Sequence, residues 1–396
     1  MAKIWDYPIN GRQVYFIAFL FYFLPTILGE TTFSSTLNGH LLVRFACISF
    51  PLLLFKIFVL DKWEKKELFL ISIVLVLGLI TWRTAHYIEL LLIVPFVIGA
   101  KNVNFRDIIR WHFYLTVLLM MTVMIFALIR IIPNLIYHSE LRPTRYSVGM
   151  LYPSVIAAHY LFLVLDYCYL KFGKLNVFDY LLITLGDSIC MLLTNTKLDF
   201  WATLLVIPIM IIAQHAFFGK RWSNIIASFW WMATPVSATI MVFLSYFYSS
   251  SNHILHKLNS LLSGRLALGR QAFERCNVNL FGRKIVEHSF AGIKGQRLAS
   301  GNTNFQSNYF YIDSSFVRML LLWGLLVFII VILCLTFIAL RSTVQKTFVL
   351  SAIILVSSLS FMFEPHIVQI IYNPFILALL SNNYFNRLNK ENKNAE

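Results

Sequence analysis

The sequence predicts an all-α, polytopic membrane protein of about twelve transmembrane helices with one long loop, and three observations carry that prediction. Hydrophobic residues make up 59% of the 396 residues and charged residues only 13%, with a mean hydropathy of +0.72. That composition excludes the two or three soluble domains a chain of this length would otherwise suggest. The apolar residues come in long runs without barrel-like alternation. A hydrocarbon core about 30 Å thick needs roughly 20 apolar residues per helix, and a backbone in lipid must satisfy its own hydrogen bonds, so each run reads as a helix. Against this background residues 249–313 are the one long polar segment, and that segment must lie outside the lipid.

Taken in order, the predicted spans are 13–30, 41–60, 67–82, 87–100, 111–132, 147–166, 178–193, 200–218 and 224–247, then the loop, then 314–340, 346–363 and 366–381. The N-terminal stretch MAKIWDYPINGRQ is followed by an apolar run without a small-residue cleavage site, so the first span is expected to be retained. Cys47, Cys190 and Cys334 fall in spans, Cys168 just past the end of one and only Cys276 in the loop, which gives neither a disulfide framework nor metal-ligand spacing. No internal repeat and no separate soluble domain is visible.

Lys and Arg in short loops favour the cytoplasm. With the N-terminus inside, seventeen such cations fall on the cytoplasmic side and five in the short outer loops. Both termini are therefore expected inside and residues 249–313 outside.

The cations kept outside against this bias are the informative ones. They include Arg83, Arg142, Arg145 and Lys197, with Arg44 near one span end and Arg318 about one turn into the tenth span. The loop adds eight more: Lys257, Arg265, Arg270, Arg275, Arg283, Lys284, Lys294 and Arg297, against Glu274, Glu287 and Asp313. Such a set suits an anionic ligand, because a guanidinium is a planar, permanently charged fork for phosphate oxygens. Arginines near span ends also snorkel to lipid phosphates, and for Arg44 and Arg83 that reading stands beside the functional one.

Within the loop, residues 254–273 carry apolar residues at three- and four-residue spacing and predict one amphipathic helix lying at the interface, with Arg265 and Arg270 at headgroup depth. The following AGIKGQRLASGNTNFQSN is rich in Gly, Ser and Asn and predicts a loop-like lid. The run NYFYID is a candidate glycan contact, whereas the other aromatic residues read as interfacial anchors and packing.

Asp313 at the mouth of the tenth span is the first candidate for a general base, and it reads equally well as that helix's N-cap beside Ser314. His288, next to Glu287, is the second. Asp187 is a functional candidate because a charge inside a span is costly, with a hydrogen-bonded structural role as the alternative. His159 reads as a packing residue. There is no Walker A sequence, Rossmann glycine fingerprint, HExxH or GxSxG, which argues against nucleotide hydrolysis and zinc chemistry.

Several short sequences, in order along nearly the whole chain, resemble the Wzy-type polysaccharide polymerases, relatives of the O-antigen ligases. They are VIGAKNVNFRDIIR, RYSVGMLYPSVIAAHY, MLLTNTKLDFWATLL, and LNSLLSGRLALGRQAFERCNVNLFGRKI followed by YFYIDSSFVRMLLLWGLL. The chain departs from the family pattern at Ser154 in place of Asn, at Lys197 in place of Arg, and at Asp313 and Ser314 near the loop's end. Lys197 keeps the charge and loses the fork. Ligases are associated with a histidine where Asp313 stands, so the resemblance favours a polymerase.

The resemblance implies a GT-C-like architecture and glycosyl transfer on the extracytoplasmic face of the plasma (inner) membrane. One polyprenyl-diphosphate-linked oligosaccharide would be joined to another without metal or cofactor, with polyprenyl diphosphate leaving. For this reaction the candidates are Arg265, Asp313 and His288 in catalysis, and Arg145, Arg142, Arg283, Arg44, Arg318, Lys197 and Arg270 in binding the substrate. Its implied partners are the lipid-linked oligosaccharide, membrane lipid, and a chain-length regulator and flippase of the same pathway, with no nucleic acid. The alternatives are a ligase moving the finished glycan and a transporter of the same intermediate, though transporters commonly show two related halves.

Overall fold

The structure is a computed structural model that describes residues 10–139, 142–301 and 309–382. In chain order the helices before the loop are α1 (Gly11–Gly29), α2 (Gly39–Leu60), α3 (Lys65–Ala85), α4 (Glu89–Gly99) and α5 (Phe105–Leu128), then a hairpin of β1 (Ile136–Ser139) and β2 (Arg142–Tyr146). After it come α6 (Pro153–Leu170), α7 (Val177–Thr194), α8 (Lys197–Phe217) and α9 (Arg221–Tyr246). The loop holds α10 (His253–Leu261), α11 (Arg265–Arg275) and α12 (Gly292–Gly301), and the chain returns through α13 (Ser315–Arg318), α14 (Leu325–Val344) and α15 (Val349–Ser360).

Nine of the described helices are long and apolar enough to cross a membrane, and α4 and α15 are shorter apolar helices. Side-chain caps start several of them: Asn10 accepts from the Arg12 N–H, Asn104 from Arg106, and Asn176 with Asp179 forms a capping box on α7. Helix α6 is the central pillar, with 67% of its span buried. Helices α3, α7 and α14 turn large apolar side chains such as Phe69, Leu182 and Leu333 outward, as a lipid-facing surface requires.

The twelfth predicted span is not a helix. From Phe361 to Asn382 the chain runs through turns and a short 3-10 helix, Pro374–Leu379, and ends by pairing Ser381 with Lys101 and Asn382 with Asn104 at the end of the molecule opposite the loop. Its apolar composition is that of a span, but Pro374 lacks an amide hydrogen and disfavours helix in the residue before it. Irregular backbone at membrane depth is tolerated only inside protein. This segment meets that condition: Ile367, Val368, Ile370, Ile371, Tyr372 and Asn373 are at most 1% exposed. Asn373 donates to the Ile367 carbonyl at 2.6 Å, closing one of the turns internally.

The tenth predicted span is broken as well. Helix α13 continues through a π-turn, Met319–Trp323, and stops at Gly324, where φ is +92°. Gly324 lies against Gly282, at φ +76°, and a Cβ on either glycine would collide with the other strand of backbone, so the return from the loop crosses its own earlier part at closest approach. The single amphipathic helix expected over 254–273 is two helices. Ser263 and Gly264, at φ +51° and +90°, break it, and the Asn259 side chain accepts the Ala267 N–H at 3.0 Å across the corner. The expected lid is helical over Gly292–Gly301, and residues 302–308, with Asn308 of NYFYID, lie outside the described part.

Candidate active site

The bend at Ser263 and Gly264 places Arg265 as the first residue of α11. That helix buries Leu266 and Ala272 and brings Gly269 against Ser245 of α9, a contact that a side chain at position 269 would prevent. Arg265 is thereby aimed inward at the turn that follows α15. Its Nε lies 3.5 Å from Asp313 Oδ2 and its Nη2 3.8 Å from Glu364 Oε1. The guanidinium also donates to the Phe363 and Ser263 carbonyls at 3.4 and 3.3 Å.

The two carboxylates are brought together by Ser315. Its Oγ donates to the Glu364 carbonyl at 2.5 Å and accepts the Ile367 N–H at 3.2 Å, and its own N–H donates to the Phe361 carbonyl. The N-terminus of α13 thus clasps the 361–367 turn, with Asp313 just before the clasp and Glu364 within it. The N-cap of α13 is Ser314, and Asp313 is left to pair with Arg265.

Burial raises Asp313 above the ordinary carboxylate range, with Arg265 and Arg318 pulling the other way. Burial likewise pushes Glu364 up to about 8 against the pull of Arg265. Burial alone would lower Arg265, and Asp313 and Glu364 more than reverse it. Tyr309, also buried, is raised and stacks on Phe290 at 4.8 Å.

Two more of the expected arginines converge here. Arg145, on β2, donates from Nε to the Thr194 carbonyl at 2.7 Å and from Nη1 to Tyr152 Oη at 3.3 Å, and its field reaches Glu364 and Asp199. Arg318 pairs with Glu287 at 2.5 Å between the rings of Tyr87 and Tyr311, and its field reaches Asp313. Glu287 in turn accepts the Ile312 N–H at 3.0 Å, so Arg318 is locked. Arg265, held only at long distances, is not.

The other expected residues stand apart from this group. Arg44 is exposed on α2 and Lys197 is exposed at the start of α8. Arg270 pairs with Glu274 at 2.7 Å on the other face of α11 and donates to the Tyr246 carbonyl. Arg283 is held by its backbone, which donates to the Leu322 carbonyl at 3.1 Å, and enters no ion pair among the described residues. His288 is exposed, and its backbone pairs in both directions with Phe310, a stitch across the loop with no imidazole role in it. Arg142 opens β2 opposite Ser139, and its side chain lies outside the described part.

Several groups at the site were not anticipated. His366 Nε2 lies 3.4 Å from Glu364 Oε2, and its ring stacks on Tyr372 at 3.6 Å. Tyr372 stacks on His159 at 4.1 Å and donates to Glu30 Oε2 at 2.5 Å. His159 is not a satisfied packing residue, since neither ring nitrogen makes a hydrogen bond and Nε2 sits 3.4 Å from Glu30. Asp187, already a candidate from the sequence, is buried in α7 within the field of Asp199, which was not anticipated. Glu89 lines a cleft of about 570 Å³ between α1, α2 and α4. A signal was present for each, an ionisable residue within an apolar run, which is a functional candidate by default.

Among the described residues no group of three His, Cys, Asp or Glu side chains is arranged to hold a metal ion. No protein-family model, no curated protein and no solved structure matches this chain.

Proposed function

We propose that the protein is a membrane-embedded polymerase of the Wzy type, joining polyprenyl-diphosphate-linked oligosaccharide units on the extracytoplasmic face. The observation that carries this reading is Arg265 within 3.5 and 3.8 Å of two carboxylates from separate parts of the chain, Asp313 and Glu364, with the fields of Arg318 and Arg145 reaching the same pair.

On this reading the roles follow from the distances. Arg318, fixed at 2.5 Å to Glu287, supports the site's shape. Arg265 has contacts of 3.3 to 3.8 Å and no short bond, so its N–H groups can turn to an arriving diphosphate without breaking a strong pair. Donors already in place where negative charge grows on a leaving group lower the barrier most in a water-poor site. Arg145, held by the Thr194 carbonyl and Tyr152, adds a second positive field at Glu364. A hydroxyl of the acceptor sugar would attack the anomeric carbon, and the proton would pass to one of the two carboxylates flanking Arg265, Asp313 or Glu364.

The experiment is incubation of the purified protein with lipid-linked repeat units, resolved on a gel. A ladder growing by whole units supports the polymerase. A single transfer to a different acceptor favours a ligase, and unchanged substrate with movement between leaflets favours a transporter.

A further inference from the structure

We infer that Glu364 is the base of this site and that His366 stands behind it as proton acceptor, held in one tautomer by Gln369; the inference rests on the transferase reading above. Two contacts in series carry it. The Gln369 amide oxygen faces His366, where Oε1 lies 2.5 Å from Nδ1. An amide oxygen cannot donate, so the proton of the neutral ring sits on Nδ1. That leaves the Nε2 lone pair facing Glu364 Oε2 at 3.4 Å.

The ring has little freedom to do otherwise. Tyr372 stacks on it at 3.6 Å and is itself tethered to Glu30. Asp313, the other carboxylate on Arg265, makes no ion pair or hydrogen bond with a histidine among the described residues, and Arg265 is its ion-pair partner.

In the step this assigns, the acceptor hydroxyl oxygen forms its bond to the anomeric carbon. The bond from that carbon to the diphosphate oxygen breaks, and its electron pair leaves with the diphosphate. The hydroxyl proton goes to Glu364 and from Oε2 to Nε2 of His366, which becomes an imidazolium between two acceptors. Gln369 touches no reacting atom and is a positioning residue.

The test has two arms on the full-length protein. In the first, the protein labelled with 15N-histidine is read by NMR, with His366 assigned by its loss in His366→Phe. The expected result is the Nδ1–H tautomer, moving toward the Nε2–H form or a mixture in Gln369→Leu. An Nε2–H tautomer in the unaltered protein overturns the inference whatever the substrate.

In the second arm chain extension is followed with lipid-linked repeat units. His366→Phe keeps a ring on Tyr372 and is expected to lower kcat about 10²-fold or more with KM little changed, the usual scale for losing proton-transfer assistance. Gln369→Leu gives a smaller fall, and Gln369→Asn restores part of it. An unchanged kcat in a folded His366→Phe protein overturns the inference while the polymerase reading stands. An unaltered protein that shows the Nδ1–H tautomer and extends nothing supports the pair and counts against the polymerase.

Discussion

Arg265 Nε lies 3.5 Å from Asp313 Oδ2, although one residue opens a helix early in the polar loop and the other closes the loop's far end. The contact exists because two unrelated devices meet there, the break at Ser263 and Gly264 and the clasp of Ser315 on the turn after α15. Under the proposed function its looseness matters, since a guanidinium bound tightly by carboxylates would not release its donors to a diphosphate.

Arg265→Ala is therefore expected to abolish the gel ladder, a fall of at least about 10²-fold in extension rate, while membrane insertion and α11 remain. Arg265→Lys keeps the charge, loses the fork and recovers only part of the rate. Full-length polymer from the alanine variant would remove Arg265 from the site.

The two raised carboxylates predict opposite pH trends for activity and stability. A carboxylate whose folded value is raised binds its proton more tightly on folding. Its stabilising contribution is complete below the ordinary carboxylate range and is lost as pH rises through the folded value. A base needs the deprotonated form. Extension should thus climb with pH along a limb centred near 8, the value to which burial pushes Glu364, while the melting temperature in detergent falls across the same window. Glu364→Gln should flatten the stability change. A Tm independent of pH between about 6 and about 9 in the unaltered protein would contradict it.

Arg318 and Glu287 should behave as a structural pair. Arg318→Met leaves Glu287 buried without a cation and is expected to cost roughly 3–5 kcal/mol, whereas Arg318→Met with Glu287→Gln should recover most of that. Thermal unfolding of the two variants decides it: equal losses would mean the pair is not coupled.

Arg44→Ala, Arg270→Ala and His288→Ala should each leave the extension rate within about twofold of the unaltered protein, because surface substitutions away from a packed or paired feature change little. A tenfold loss in any of them, measured on the same gel, would show that the substrate reaches further across the loop than the site described above.

Much of this arrangement is legible in the chain, and the failures have physical causes. Apolar runs mark the spans because lipid demands them. Arg145, Arg265, Arg318 and Asp313 stand out as charges at or between the ends of apolar runs in a chain that carries few, and because the loop is short of acids. The segment from Phe361 to Asn382 misleads because an irregular chain enclosed in protein and a helix facing lipid require the same composition. Only Pro374 and the scattered Glu364, His366, Gln369 and Asn373 distinguish them. Those same residues, with Glu30, Glu89 and Asp199, were passed over because each stands alone in an apolar stretch, and their meeting is a property of packing that no local spacing records. The break between α10 and α11 was likewise hidden, since the apolar periodicity continues across Ser263 and Gly264.

The unusual passage of the chain after α15 also bears on how the protein comes together. A stretch without helical hydrogen bonds of its own cannot enter hydrocarbon alone, so it has to wait for a slot already built by α4, α5, α6 and α14. Glu364 and His366 ride on that stretch. Until it docks, Arg265 has Asp313 alone as its acidic partner and the base proposed above is missing, so on that reading a half-assembled bundle is inert and only the completion of folding switches the chemistry on.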